Sequence, residues 1–127
     1  MKKVFDTSAV LAALFMEPGG ARVAELWAQG DNYISAVNYA ELVSKLNERG
    51  MKDTEILAVM EGVPLAIVAL EQEIAHAIGL LRTLTKKTGL SLGDRACLAL
   101  GKSLQAQVVT ADKVWGQLTG FKVLVVR

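Results

Sequence analysis

Five short apolar runs punctuate this chain, and longer helix-patterned segments separate each from the next. The runs are Lys3 to Phe5, Tyr33 to Ser35, Pro64 to Ala69, Gln107 to Thr110 and Lys122 to Val126. Neither Leu65-Ala66-Ile67-Val68-Ala69 nor Val123-Leu124-Val125-Val126 alternates with polar residues. Strands of this kind suit a sheet covered on both faces. Strands joined through helices pair in parallel, with right-handed crossovers. The pattern predicts an α/β fold, a three-layer α/β/α sandwich with a mainly parallel five-stranded sheet. Ligands of such folds sit beyond the carboxyl ends of the strands.

Local signals place the helices between these runs. Ser8 is expected to cap a buried, nearly all-apolar helix over Ala9 to Met16, broken by Pro18-Gly19-Gly20. A second helix runs from Ala21 to Gln29 and stops at Gly30. Ser35 caps a third, which runs to about Arg49 before Gly50. Asp53 opens a fourth, ending at Gly62. Glu71 to about Lys87 reads as a long amphipathic helix, and Ser91 opens another to about Leu104. Asp112 caps a short last helix. The run Pro64 to Ala69 is expected to be a buried strand.

Composition narrows the class. A length of 127 residues, 52% hydrophobic and 21% charged, predicts one folded domain over residues 1–127. Lys and Arg number 14 against 13 Asp and Glu, a net charge of +1, so any nucleic-acid contact must come from local patches. A single cysteine excludes an intrachain disulfide. No apolar run approaches the roughly 20 residues of a membrane span, and no signal-peptide pattern opens the chain. The expectation is a soluble, cytoplasmic protein without membrane contact.

Four carboxylates fall at the predicted carboxyl edge. Asp6 directly follows the first strand, and Asp112 follows Thr110-Ala111 after the fourth. Glu41 lies two turns into the helix after the second strand, and Asp94 in the first turn of the helix opened by Ser91. Each has a plain structural role available: Asp94 in a capping box with Ser91, Asp112 as a cap, Glu41 paired with Lys45, Asp6 in a turn. Asp6, Glu41 and Asp94, however, sit in apolar contexts where neighbouring charges repel, on the order of 4 kcal/mol at 4 Å and an effective dielectric of 20. A divalent cation relieves such repulsion. Oxygen-only ligation favours Mg²⁺ or Mn²⁺.

The segments Val-Phe-Asp6-Thr-Ser8-Ala, Asn38-Tyr-Ala-Glu41-Leu, Ser91-Leu-Gly-Asp94-Arg-Ala and Thr110-Ala-Asp112 resemble the successive motifs of PIN-domain ribonucleases, in particular VapC-type toxins of toxin–antitoxin systems. The resemblance spans the whole chain, in the family's order. It implies an Mg²⁺- or Mn²⁺-dependent endoribonuclease that acts on RNA, usually as a homodimer, and is held in check by a cognate antitoxin. Asp6, Glu41, Asp94 and Asp112 match the family's acidic quartet, and Thr110 its Ser/Thr two residues before the last acid. Arg95 stands where many members carry Ala. On this reading Asp6 and Asp94 contact the metal directly, Asp112 is a ligand or supports the ligands, and Glu41 orients or deprotonates the attacking water.

Thr7, Ser8 and Asn38 are further candidates for contact with substrate or metal-held water, with helix capping as the plainer role. Arg95 is the best-placed cation for RNA phosphate, and Arg82, Lys86 and Lys87 share a helix that reads as a solvated face. His76 and Cys97 read as structural, Cys97 as a small buried hydrophobe. A receiver-type signalling domain lacks its Asp, because the middle strand Pro64 to Leu70 holds none. No phosphate-binding glycine loop follows a strand. The alternatives that survive are a PIN-fold nuclease outside a toxin–antitoxin pair, acting in RNA processing or on DNA, and a metal-binding interaction protein without catalysis.

Overall fold

The computed structural model describes residues 1–127. Its elements run β1 (Lys3–Phe5), α1 (Thr7–Leu14), α2 (Gly20–Ala28), β2 (Asn32–Ser35), α3 (Ala36–Glu48), α4 (Asp53–Glu61), β3 (Ala66–Val68), α5 (Gln72–Leu84), α6 (Leu92–Leu104), β4 (Gln107–Thr110) and β5 (Val123–Val125). Short 3-10 turns occupy Lys86–Thr88 and Lys113–Gln117. All four strand pairings are parallel, and the order is β3-β2-β1-β4-β5. The α/β/α expectation holds.

The pleat divides the core in two. Successive strand residues face opposite sides. Val4 and Val108 pack with Ile78, Leu81 and Leu98 under α5 and α6, together with the buried Trp115. Phe5, Ile34 and Val109 turn the other way, onto α1 to α4 through Val10, Val23, Leu42 and Ile56. Val4-Phe5, Ile34 and Val108-Val109 supply apolar side chains to both faces of the three central strands, whose ends carry polar residues such as Lys3, Asn32, Ser35 and Thr110.

The chain lays β2 and β3 to one side of β1, then crosses to lay β4 and β5 on the other. That reversal puts a topological switch point between β1 and β4, where adjacent crossovers diverge and leave a crevice at the carboxyl edge. Asp6 and Asp112 flank it.

Four local expectations need correction. Ser8 does not cap α1, which starts at Thr7 with Asp6 in the extended capping position. The helix ends at Leu14; Met16 adopts a left-handed backbone (φ 52) and is 92% exposed. The run Pro64 to Ala69 is not buried, because β3 is the edge strand and Ile67 is 53% exposed. An edge strand has a neighbour on one side only, so apolarity along the sequence does not report its burial. The long helix from Glu71 stops at Leu84, where the Thr85 hydroxyl donates back to the Leu81 carbonyl at 2.7 Å and the 3-10 turn takes over. No helix is long and apolar enough to cross a membrane.

Candidate active site

Asp6 leaves β1 at the switch point and is 4% exposed. Its side chain makes no capping bond to α1. It accepts instead from the Ser8 hydroxyl at 2.6 Å and the Thr110 hydroxyl at 2.9 Å, both on Oδ2. Ser8 Oγ in turn accepts from the Ala111 amide at 3.0 Å, and Thr110 Oγ1 from the Asp112 amide at 3.0 Å. The two hydroxyls therefore tie the end of β1 to the end of β4. Burial pushes the Asp6 carboxyl up to about 6; the Ser8 and Thr110 bonds oppose this, and the charges of Asp94 and Glu41 add to it.

Glu41 is held from the other side. Its Oε1 accepts from the Thr7 hydroxyl at 3.0 Å and from Asn38 Nδ2 at 2.9 Å. Asn38 is fully buried and uses its whole side chain: Nδ2 also donates to the Gly93 carbonyl at 3.0 Å, and Oδ1 accepts from the Ser35 hydroxyl at 2.7 Å. Ser35 performs the capping, accepting from the Asn38 amide. Thus α3 is pinned to α6 at the residue just before Asp94. A Cβ at Gly93 would fall on both Glu41 carboxylate oxygens, so glycine is what lets the Glu41 carboxylate lie here.

Asp94 completes a capping box with Ser91: its Oδ2 accepts from the Ser91 amide at 2.9 Å, while its own amide donates to Ser91 Oγ at 3.1 Å. Asp112 Oδ1 caps the following 3-10 turn through the Val114 amide at 3.0 Å. The plain roles foreseen for these two acids are real, and each leaves one carboxylate oxygen free of such bonds. The Glu41–Lys45 ion pair does not form; none of the four acids has a cation within ion-pair distance.

All four acids line one cleft of about 320 Å³, with Thr7, Ser8 and Ser91. Cys97 lies buried near it, its thiol pushed well up by burial and by Asp6, Asp94 and Glu41. A larger shallow hollow, about 750 Å³, covers Glu71, Gln72, Glu73 and His76 on the exposed start of α5. It has no apolar wall and belongs to one turn of one helix, so it has the form of open surface.

The donor set suits a hard divalent cation: oxygen ligands only, four carboxylates that form no ion pair, and a buried carboxyl whose ionisation is opposed. No three of the carboxylates stand close enough to share an ion; each accepts from its own hydroxyl, amide or side-chain partner.

Arg95 is not brought to the cleft. Its guanidinium donates to the Ile78 carbonyl of α5 at 3.1 Å and to the Ser91 carbonyl at 3.3 Å. Arg82, Lys86 and Lys87 are solvated and lie outside the cleft. Among the residues that join it without having been singled out for the site, the charged ones are Lys45, Glu17 and Arg127. Lys45 carried a signal, since it lies one turn from Glu41 on the same helix face. Glu17 and Arg127 carried none: Glu17 lies just beyond α1, and Arg127 arrives only through the pairing of β5 beside β4.

No curated protein sequence matches the chain significantly. Solved structures match it along its length. A toxin–antitoxin complex from Klebsiella pneumoniae superposes with a TM-score of 0.78 at 20% identity, covering 99% of this chain and 98% of that one. VapBC2 from Rickettsia felis, bound to a promoter DNA fragment, gives 0.77 at 20% identity over 98% of each chain. VapC20 of Mycobacterium tuberculosis, a Sarcin-Ricin loop cleaving toxin, gives 0.74 at 16% identity over 94% of this chain and 96% of that one. The family model described as PIN domain matches residues 3–120, so this chain belongs to the PIN domain family.

Proposed function

We propose that this chain is an Mg²⁺- or Mn²⁺-dependent endoribonuclease and the toxin of a type II toxin–antitoxin pair. The observation that carries the reading is the crevice at the β1/β4 switch point, where four carboxylates from distant parts of the chain line one cleft and none of them forms an ion pair. The Klebsiella and Rickettsia structures are toxin–antitoxin complexes, which supports a cognate antitoxin partner, and the Sarcin-Ricin loop cleaving neighbour supports an RNA substrate. A homodimer acting in the cytoplasm fits the same reading.

Asp6, Asp94 and Asp112 would hold the ion once their side chains turn to it, through the oxygens that their present hydroxyl and amide bonds leave free. When bound, it would neutralise charge on the scissile phosphate and acidify a water for in-line attack. Ser8 and Thr110 fix the direction of the Asp6 carboxylate. Glu41 has Oε1 committed to Thr7 and Asn38, which leaves Oε2 to orient the water and take its proton. Asp112 presents the oxygen it does not spend on Val114.

The test is incubation of the purified chain with total RNA in Mn²⁺, Mg²⁺ or EDTA, beside Asp6→Asn. Cleavage is expected with either ion, none in EDTA, and none with Asp6→Asn. Intact RNA in Mn²⁺ together with measurable Mn²⁺ binding would leave the metal-binding interaction protein as the answer. Cutting of DNA in preference to RNA would favour a nuclease outside a toxin–antitoxin pair.

A further inference from the structure

A cleft lined by carboxylates repels a polyanion unless cations stand at its mouth, and the chain's net charge of +1 offers no general attraction. Two cations line this cleft, Lys45 and Arg127. They come from elements on different sides of the switch point in the strand order: Lys45, one turn beyond Glu41, from α3, which follows β2, and Arg127 from the residues that follow β5.

The placement of Arg127 is built rather than incidental. The Val126 amide donates to the Thr110 carbonyl at 2.9 Å, which carries the β4–β5 pairing beyond the strand itself. Gly19, with a left-handed backbone (φ 89), lets the α1–α2 corner close on Val126; a Cβ there would strike the Val126 carbonyl. Arg127 Nε then donates to the Pro18 carbonyl at 3.2 Å, and Nη2 lies 3.7 Å from Glu17. Glu17 also faces Arg49 at 3.9 Å, so its charge is shared. Nη1 of Arg127 has no partner among these contacts. Lys45 forms no ion pair at all.

We propose that Arg127 and Lys45 grip the RNA phosphates on either side of the scissile one, with Glu17 and the Pro18 carbonyl positioning the Arg127 guanidinium. This rests on the ribonuclease reading and names the residues of the same site that would hold its substrate. Arg127 offers a planar fork to one phosphate, Lys45 a mobile point charge to another. Arg95, the cation favoured by sequence position, is spent on backbone carbonyls.

The experiment measures anisotropy of a short fluorescein-labelled oligoribonucleotide of mixed sequence against the full chain, with Ca²⁺ replacing Mn²⁺ to hold turnover low, across a salt series. Arg127→Gln and Lys45→Gln are each expected to weaken binding about tenfold and to reduce the slope of log affinity against log salt by about 0.7, the value for one lost phosphate contact on a single strand. Arg127→Lys should keep the slope, and Lys86→Gln, outside the cleft, should change nothing. In Mn²⁺ the two Gln variants should raise KM more than they lower kcat. If Arg127→Gln lowers the melting temperature while leaving affinity and slope at wild-type values, Arg127 merely braces the α1–α2 corner and the proposal is wrong. Wild-type cleavage in Mn²⁺ beside variants that bind as wild type would overturn the grip and leave the ribonuclease reading standing; a wild-type chain that neither cuts nor binds RNA would overturn both.

Discussion

Glu41 of α3 lays its carboxylate against the bare Cα of Gly93 in α6, in the space a Cβ would take. Three bonds hold the contact: Thr7 and Asn38 donate to Glu41, and Asn38 donates onward to the Gly93 carbonyl. The glycine is thus part of the site although it contributes no functional group.

Gly93→Ala tests that contact. The colliding atoms are the far end of a flexible side chain, so Glu41 can swing aside and the fold survives, at a cost of about 1 kcal/mol. The swing breaks its bonds to Thr7 and Asn38. RNA cleavage is expected to fall about a hundredfold, in the range of a lost general base, with an unchanged circular dichroism spectrum. Wild-type cleavage by Gly93→Ala would show that the position of Glu41 does not matter.

Asn38→Ala should do more damage to stability. It leaves the Gly93 carbonyl, the Ser35 hydroxyl and Glu41 short of partners inside the protein. Unpaired buried polar groups cost about 1–3 kcal/mol each, partly relieved by water. Urea unfolding is expected to register a loss of about 2–3 kcal/mol. A loss under about 0.5 kcal/mol, the level of an ordinary surface substitution, would mean that water fills the gap freely.

The raised Asp6 carboxyl makes metal-free stability depend on pH. Folded, it titrates at about 6; unfolded, near 4. Between those values the folded chain binds more protons than the unfolded one, so stability falls as pH rises. The contribution is complete below about pH 4 and lost above about pH 6, on the order of 2–3 kcal/mol. Asp6→Asn removes that ionisation. In EDTA, wild type should therefore lose stability relative to Asp6→Asn between pH 4 and pH 7. Parallel pH curves for the two would contradict the buried, repelled carboxyl.

Divalent metal should reverse the loss. An ion that binds only the folded state at a hundredfold excess over its Kd adds about 2.7 kcal/mol, a Tm rise of about 10 °C for a chain of this size. Differential scanning fluorimetry with Mn²⁺ is expected to show that rise for wild type and little for Asp94→Asn. Equal rises in both would remove Asp94 from the set of ligands.

Local chemistry and periodicity were enough to anticipate the α/β/α layering, the five strands, and the edge at which Asp6, Glu41, Asp94 and Asp112 emerge. A strand must end at its carboxyl edge wherever it lies in the sheet, and a sheet covered on both faces needs apolar residues at consecutive strand positions, so both properties are written locally. The same locality explains the capping roles of Ser35, Ser91 and Asp112, each settled within a few residues. What only the tertiary structure decided depends on which distant segments become neighbours. The Ser8 hydroxyl was free to cap a helix until Thr110 and Ala111 came within reach. Arg95 was free to face phosphate until Ile78 offered a carbonyl. Strand β3 looked like a core strand because the chain does not state that it lies at the sheet's edge. Arg127 joins the cleft only because β5 pairs beside β4 and Gly19 lets the corner close. Hydrogen bonds act over about 3 Å, so their partners are chosen by packing and not by distance along the chain.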